Sequence, residues 1–395
     1  MSQKPEHDAN TLKVTFVVES GTDVRLAEGF ARMFDLTIVG RTIPNGVIIS
    51  QPPQVALKLI SGPSSRARFA CFVMKELLSK GHATDLVIVQ GYGAAALTAN
   101  LSSRLRRKRC VMLVCSPVEA YYQERKGRHY DGKPFREREI LALRLIAGVN
   151  ARIGQQYCVL SEYLASVVRS HGSTLRTDTV PVYGVDTIQF RPPVETRSDI
   201  RLQAGLAPGV PLIFFSSRVA PEKDSETLLE AVRILRDEGQ LVAILHRSGG
   251  YREFLELARR SDVEKQVTAT DAVRPGPGLA LDYQTCDLCV QASRAEGLGF
   301  SVLESMACGT PVIASATGGL METVIDGVTG WSYPVGDARQ LANRIAYALC
   351  HPEEGAAIAI RARQLVVNRF DTRIVFRAFA ELIARIPPQP EYRLD

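Results

Sequence analysis

The segment RAEGLGFSVLESMACGTPVIASATGGLMETVIDGVTGW (294–331) places Glu296 in a loop with Gly297 and Gly299, after an apolar run ending near Ser293. Glycines let backbone amides come close to a ligand. A helix is predicted from about Ser301 to Gly309. Its N-terminus offers free amides and partial positive charge, which suit a phosphate. Glu304 follows Glu296 by eight residues. Ser301-x-x-Glu304 is also the spacing of a capping box, a purely structural device, so two readings of Glu304 stand open. Glu296 has no cap role to explain it. A second segment, SSRVAPEKDSETLLEAV (216–232), puts Arg218 and Lys223 between a buried strand and a helix. Two cations at the carboxyl end of a strand suit a diphosphate, each charge-assisted hydrogen bond being worth roughly 1.5–3 kcal/mol. A solvated loop would carry the same residues.

The elements that must hold these groups follow from the rest of the chain. At roughly 150 residues per domain, 395 residues make two or three domains. Hydrophobic residues are 46% and charged residues 23%, which excludes a disordered, collagen-like or fibrous chain. Arg144 and Arg152 interrupt the most apolar stretch, so no run reaches the ~18 residues of a membrane span. The polar start MSQKPEHDAN has no apolar signal-peptide core, and the cytoplasm is the expected compartment. Eight scattered cysteines are then expected to be reduced and mostly core. The pair Cys286-x-x-Cys289 lies on a strand, where such spacing turns the thiols to opposite faces, so core packing is expected rather than a metal. The charge of +6, from 48 basic and 42 acidic residues, is mild. It calls for no nucleic acid but favours an anionic ligand or surface.

Apolar runs alternate with amphipathic stretches. VTFVVES (14–20), DLTIV (35–39), DLVIVQ (85–90), CVMLVC (110–115), YCVLS (157–161) and TVPVY (179–183) read as strands. Helices are predicted at 24–33, 66–80, 94–105, 136–150 and 162–170. FRPPVETRS (190–198) reads as a linker. The alternation restarts with PLIFFSS (211–217), LVAILH (241–246), CDLCVQAS (286–293) and PVIAS (311–315), between helices at 224–238, 251–260 and 301–308. Three more helices are predicted near 337–349, 354–368 and 371–386. Continuous Val/Ile/Leu strands between helices give an α/β chain of two doubly wound, Rossmann-like domains. Such domains bind ligands beyond the carboxyl ends of their strands, and the natural site for two of them is the cleft between.

Taken together, Glu296-x7-Glu304 with ACGTPVIAS, the R-x-x-P-E-K spacing of Arg218 and Lys223, and VPVYGVDTIQFRP (180–192) resemble the GT-B glycosyltransferases. The resemblance is to family 4, retaining enzymes that use nucleotide-sugars; it is close over about 157–371 and weak before 150. It implies an N-terminal acceptor domain over 1–190, with a C-terminal helix, 372–395, packing back on it, and a donor domain over 191–371. It implies that Glu296 contacts the donor sugar near the reacting carbon and that Glu304 binds the ribose hydroxyls. Arg218 and Lys223 would take the diphosphate charge that grows as the glycosidic bond breaks. Amides around Gly297, Gly299, Phe300 and Ser301 would hold sugar and phosphate. Ser20-Gly21-Thr22 would face the diphosphate, and the base would lie near Asp271–Val273. With no D-x-D sequence, neither a metal nor a cofactor is expected; the donor is a co-substrate, a UDP- or GDP-sugar by family habit. The acceptor would be a glycan, glycolipid or lipid-linked intermediate.

The chain departs from the family pattern. Where many members carry a histidine after the strand CVMLVC, it has Cys115-Ser116-Pro117. Ser116 or His129 is the candidate replacement, although His129 also reads as a surface residue. The polar loop 116–135, with Tyr121, Tyr122 and His129, is the candidate acceptor contact or a mobile surface loop. Arg247, where a Gly-x-Gly is common, is either a phosphate contact or a solvated arginine. The run Arg104, Arg106, Arg107, Lys108 and Arg109 is either a peripheral contact with an anionic membrane or a solvated helix end. A competing class comes from Gly91-Tyr92-Gly93, which with Ala96 has the G-x-G-x-x-A form of an NAD(P) oxidoreductase fingerprint. The acidic residue it needs at the end of the next strand is missing, since Glu119 comes three residues late. A nucleotide-sugar epimerase or an inactive binding homologue on the same scaffold is a further alternative.

Overall fold

The computed structural model describes residues 12–43, 48–50, 52–127, 136–195 and 209–387. His129 and the predicted linker beyond Glu195 lie outside them. The chain forms two compact units. The first comprises the described residues of Met1–Ser116, Glu137–Tyr183 and Phe376–Asp395; the second, those of Pro117–Arg136 and Gly184–Val375. The segment after Ser116 thus groups with the second unit, whereas the sequence reading kept it in the first.

The first unit is built on seven parallel strands: β1 (Lys13–Val18), β2 (Asp35–Arg41), β3 (Lys58–Gly62), β4 (Leu86–Gln90), β5 (Arg109–Val114), β6 (Gln156–Val159) and β7 (Arg176–Thr179). Their order is β3-β2-β1-β4-β5-β6-β7. Central strands carry continuous apolar runs, Leu86–Val89 in β4 and Cys110–Val114 in β5, because helices cover both faces. The outer strands lack that signal. β3 is largely exposed and β7 reads Arg-Thr-Asp-Thr, so neither shows an apolar run. TVPVY is accordingly corrected: the strand ends at Thr179, and Val180–Tyr183 lie in the buried turn that follows. Phe379, from the last helix (Thr372–Arg385), stacks on Phe30 at 5.0 Å between ring centroids.

The second unit carries six parallel strands: β8 (Leu212–Phe215), β9 (Ala243–Arg247), β10 (Val267–Thr270), β11 (Leu288–Gln291), β12 (Val312–Ser315) and β13 (Trp331–Tyr333). Their order is β10-β9-β8-β11-β12-β13. Its core joins Ile213, Phe215, Leu228, Phe254, Ile313 and Trp331. Chain direction across the sheet reverses between β8 and β11. In open parallel sheets that reversal opens the crevice where ligands bind. The loops leaving β8 and β11 are the ones that carry Arg218, Lys223 and Glu296. Among the described residues, no helix is long and apolar enough to cross a membrane.

Candidate active site

Beyond β8, the chain passes Arg218, makes a single 3-10 turn at Pro221–Lys223 and enters the helix Ser225–Asp237. Asp224, between them, has φ of 51°, a left-handed conformation that costs on the order of 1–3 kcal/mol outside glycine. It is held by Thr227, whose hydroxyl donates at 2.7 Å, and by an ion pair with Arg294 at 2.9 Å. The sharp turn keeps Lys223 at the end of the sheet. Its Nζ donates to Glu296 Oε2 at 2.5 Å. Both side chains are nearly buried, 14% and 12% exposed, so their attraction is weakly screened. Burial pulls the Lys223 ammonium down, but the Glu296 carboxylate outweighs it and holds the group above the usual lysine value. The cation persists through neutral pH, and its pairing is lost only as pH rises through that raised value.

Glu296 is fixed by several donors. Gly297 N donates to Oε1 at 3.1 Å and Ser293 Oγ to Oε2 at 3.3 Å. Tyr121 OH lies 3.5 Å from Oε1. Gln291, the buried last residue of β11, donates to Ser293 Oγ at 2.7 Å and accepts from Ser301 Oγ at 2.8 Å. The sequence reading passed over Gln291. The signal was there: an amide ending an otherwise apolar strand must find partners once buried.

The helix Phe300–Ala307 starts beside this loop, with Gly299 at φ of 87° before it. Glu304 resolves its two readings. Ser301 bonds to Gln291, and Glu304 accepts at 2.8 Å from the hydroxyl of Tyr283 instead of reaching back to the helix start. The capping-box alternative is overturned, because neither side chain caps the helix. Tyr283 lies on the helix Pro277–Thr285, which has no clear apolar period and was not predicted. Arg247 is more than a solvated arginine: it makes a two-pronged pair with Asp282 at 2.9 Å on each arm. Val273 lies 38% exposed beyond β10. Cys286 and Cys289 are buried, and burial pushes the Cys289 thiol up to about 12. Among the described residues, no group of three His, Cys, Asp or Glu side chains is placed to hold a metal ion.

The region taken as a polar loop at 116–135 begins as a helix, Val118–Arg125. Tyr122 is buried, while Tyr121 meets the site. Its ring centroid is 5.7 Å from Lys223 Nζ, and burial followed by the nearby Glu296 charge pushes its phenol up to about 12. Tyr121 is therefore a neutral donor at neutral pH. Arg125 pairs with Glu222, and so does Arg218, whose NH2 donates to Oε1 at 2.7 Å. The Arg218 side chain remains 49% exposed.

Gly21, Thr22 and Ser116 belong to the first unit. Gly21 has φ of 93°, and Thr22 pairs with residues 48–50 through Thr22 N to Ile48 O and Ser50 N to Thr22 O. Cys115 ends β5 beside Tyr183, and burial pushes its thiol up to about 12. Gly91-Tyr92-Gly93 follows β4 as predicted, but Tyr92 is buried, and Glu19 Oε2 lies 3.4 Å from where a Gly93 Cβ would stand. A carboxylate there opposes a pyrophosphate.

Residues 196–365 match the family model described as Glycosyl transferases group 1. Over 210 residues the chain is 30% identical to the GDP-mannose-dependent alpha-(1-6)-phosphatidylinositol monomannoside mannosyltransferase of Mycolicibacterium smegmatis, covering 51% of this chain and 54% of that protein. Over 209 residues it is 33% identical to the D-inositol 3-phosphate glycosyltransferase of Xylanimonas cellulosilytica, covering 51% and 50%. The chain spans about half the length of these curated relatives. Sucrose-phosphate synthase from Thermosynechococcus elongatus superposes with a TM-score of 0.76 at 22% identity, over 95% of this chain and 98% of that one. Anabaena Alr3699/HepE, solved with UDP and glucose, gives 0.73 at 19% identity, over 95% and 100%. These likenesses establish the fold.

Proposed function

We propose that the chain, whose residues 196–365 match the model of the group 1 glycosyl transferases, is a retaining GT-B enzyme that moves a sugar from a nucleoside-diphosphate sugar to an acceptor. The observation that carries this reading is the Lys223–Glu296 pair, with Arg218 beside it, beyond the carboxyl ends of β8 and β11. As the bond from the anomeric carbon to the diphosphate breaks, negative charge grows on the leaving phosphate. Arg218, Lys223 and the N-terminus of Phe300–Ala307 meet that charge without a metal. Glu296 holds the sugar near its reacting carbon, and Glu304, fixed by Tyr283, takes the ribose. Gly297, Gly299, Phe300 and Ser301 line the donor, and Val273 lies toward the base. The donor is a UDP- or GDP-sugar, in line with the GDP-mannose and UDP in the names of the similar proteins. The acceptor is a glycan, glycolipid or lipid-linked intermediate, met by Tyr121.

A thermal-shift screen against UDP, GDP, ADP, NAD and NADP, each with EDTA, tests the reading. One nucleoside diphosphate at 100 times its dissociation constant should add about 2.7 kcal/mol of stability. A shift with NAD or NADP alone would overturn it.

The membrane contact has its own support. Leu101 and Leu105, next to the basic run, are exposed. The helix Glu137–Ile153 packs alongside through a buried Asn100–Asn150 bond of 3.0 Å, and it exposes Leu141, Leu145 and Val149 at four-residue spacing. Apolar side chains edged by arginines suit an anionic lipid surface. Flotation with anionic vesicles is expected to carry the protein at low salt and release it at high salt. Equal flotation with neutral vesicles, or none, would refute the contact.

A further inference from the structure

The helix Val118–Arg125 has two turns and buries one side chain, Tyr122. A helix this short is not stable by itself, and one buried ring gives it little packing. Its position therefore depends on what ties it down. Arg125 does so through a fork: Nε donates to Glu222 Oε2 at 2.9 Å, and NH2 pairs with Oε1. Glu222 is completely buried and Arg125 nearly so. The Glu222 carbonyl accepts from Arg294 N at 2.8 Å, which joins this turn to the loop of Glu296. Tyr121 stands one helical turn before Arg125 on the same face, which brings its hydroxyl to Glu296.

Charge makes the fork more than a tether. Glu222 is one carboxylate shared by two arginines. Burial opposes its ionisation, but Arg125 and then Arg218 hold it below the usual carboxylate range. Arg125 meets both oxygens, while the Arg218 bond goes to Oε1. Removing Arg125 takes the fork from a buried carboxylate, and a buried charge stripped of its partner is costly.

We infer that Arg125 is a positioning residue that locks the helix Val118–Arg125 onto Glu222 and thereby sets Tyr121 against Glu296. The effect on transfer rests on the proposed glycosyltransferase reading; the lock does not.

The test compares wild type, Arg125→Ala and Arg125→Lys in the full chain. Amide hydrogen exchange over 118–125 without ligand reads the lock. Titration with UDP and GDP, and steady-state transfer, read the consequences. Exchange is expected to quicken at least ~10-fold in Arg125→Ala. Its kcat is expected to fall at least ~10-fold, because small displacements near a reacting centre cost that much or more. Arg125→Lys, which keeps charge but loses the fork, should recover part of both. Unchanged exchange in Arg125→Ala would overturn the lock. Faster exchange with wild-type kcat would overturn the positioning role. If the wild type binds neither diphosphate and transfers nothing, the transferase reading fails while exchange still decides the lock. Should Arg125→Ala not fold, Arg125→Ala/Glu222→Gln removes the unpaired charge and the same exchange measurement applies.

Discussion

Lys223→Ala is expected to lower sugar transfer at least ~100-fold, about 2.7 kcal/mol of transition-state stabilisation, with the chain still folded. Lys223 meets a charge that grows during bond breaking, so its loss should appear mainly in kcat. The folded state should survive because Glu296 keeps its bonds from Gly297 and Ser293, and Tyr121 remains beside it. Glu296→Gln serves as the partner variant. It keeps the side-chain shape but removes the charge opposite Lys223, and a comparable loss of kcat is expected. Circular dichroism and a melting curve confirm folding; transfer kinetics give the result. Near-wild-type kcat in Lys223→Ala would remove Lys223 from the chemistry.

Gly319→Ala is expected to cost on the order of 1–3 kcal/mol of stability or more and to impair donor binding at a distance from the ligand. A Cβ on Gly319 would stand 2.0 Å from Gly297 O, 2.6 Å from its carbonyl carbon and 2.9 Å from Leu298 Cα. These are backbone atoms and cannot rotate away. The 3-10 turn Gly318–Glu322 must therefore move, or the Glu296–Gly299 loop must. Gly319 N also donates to Glu296 O at 3.0 Å, so either shift disturbs the residue proposed to hold the sugar. A melting curve together with nucleoside-diphosphate titration measures both effects. A variant with wild-type stability and affinity would show that the two loops yield more easily than this packing implies.

The sequence alone determined the alternation of buried strands and helices and singled out Lys223 and Glu296, which the structure brings together beyond β8 and β11. Strands such as LIFF and VIAS are covered on both faces, so their apolar runs are continuous and legible. Glu296 stands out because a carboxylate in a glycine-bearing loop after such a strand has no cap role, and Arg218 and Lys223 because two cations follow a buried strand; Glu304, on the helix, also suited a cap. Edge strands were not legible, since β3 and β7 are exposed and polar and β13 has three residues.

Only the tertiary structure decided which long-range partners set the chemistry. Tyr121 and Glu296 are 175 residues apart, and Arg125 and Glu222 are 97 apart. No local period or spacing encodes such pairs. They arise because a short helix, unable to stand on its own two turns, finds its counter-charge on the turn after β8. The same holds for Glu304. Its spacing from Ser301 suits a cap, and only the placement of Tyr283 and Gln291 shows that neither side chain is spent on the helix.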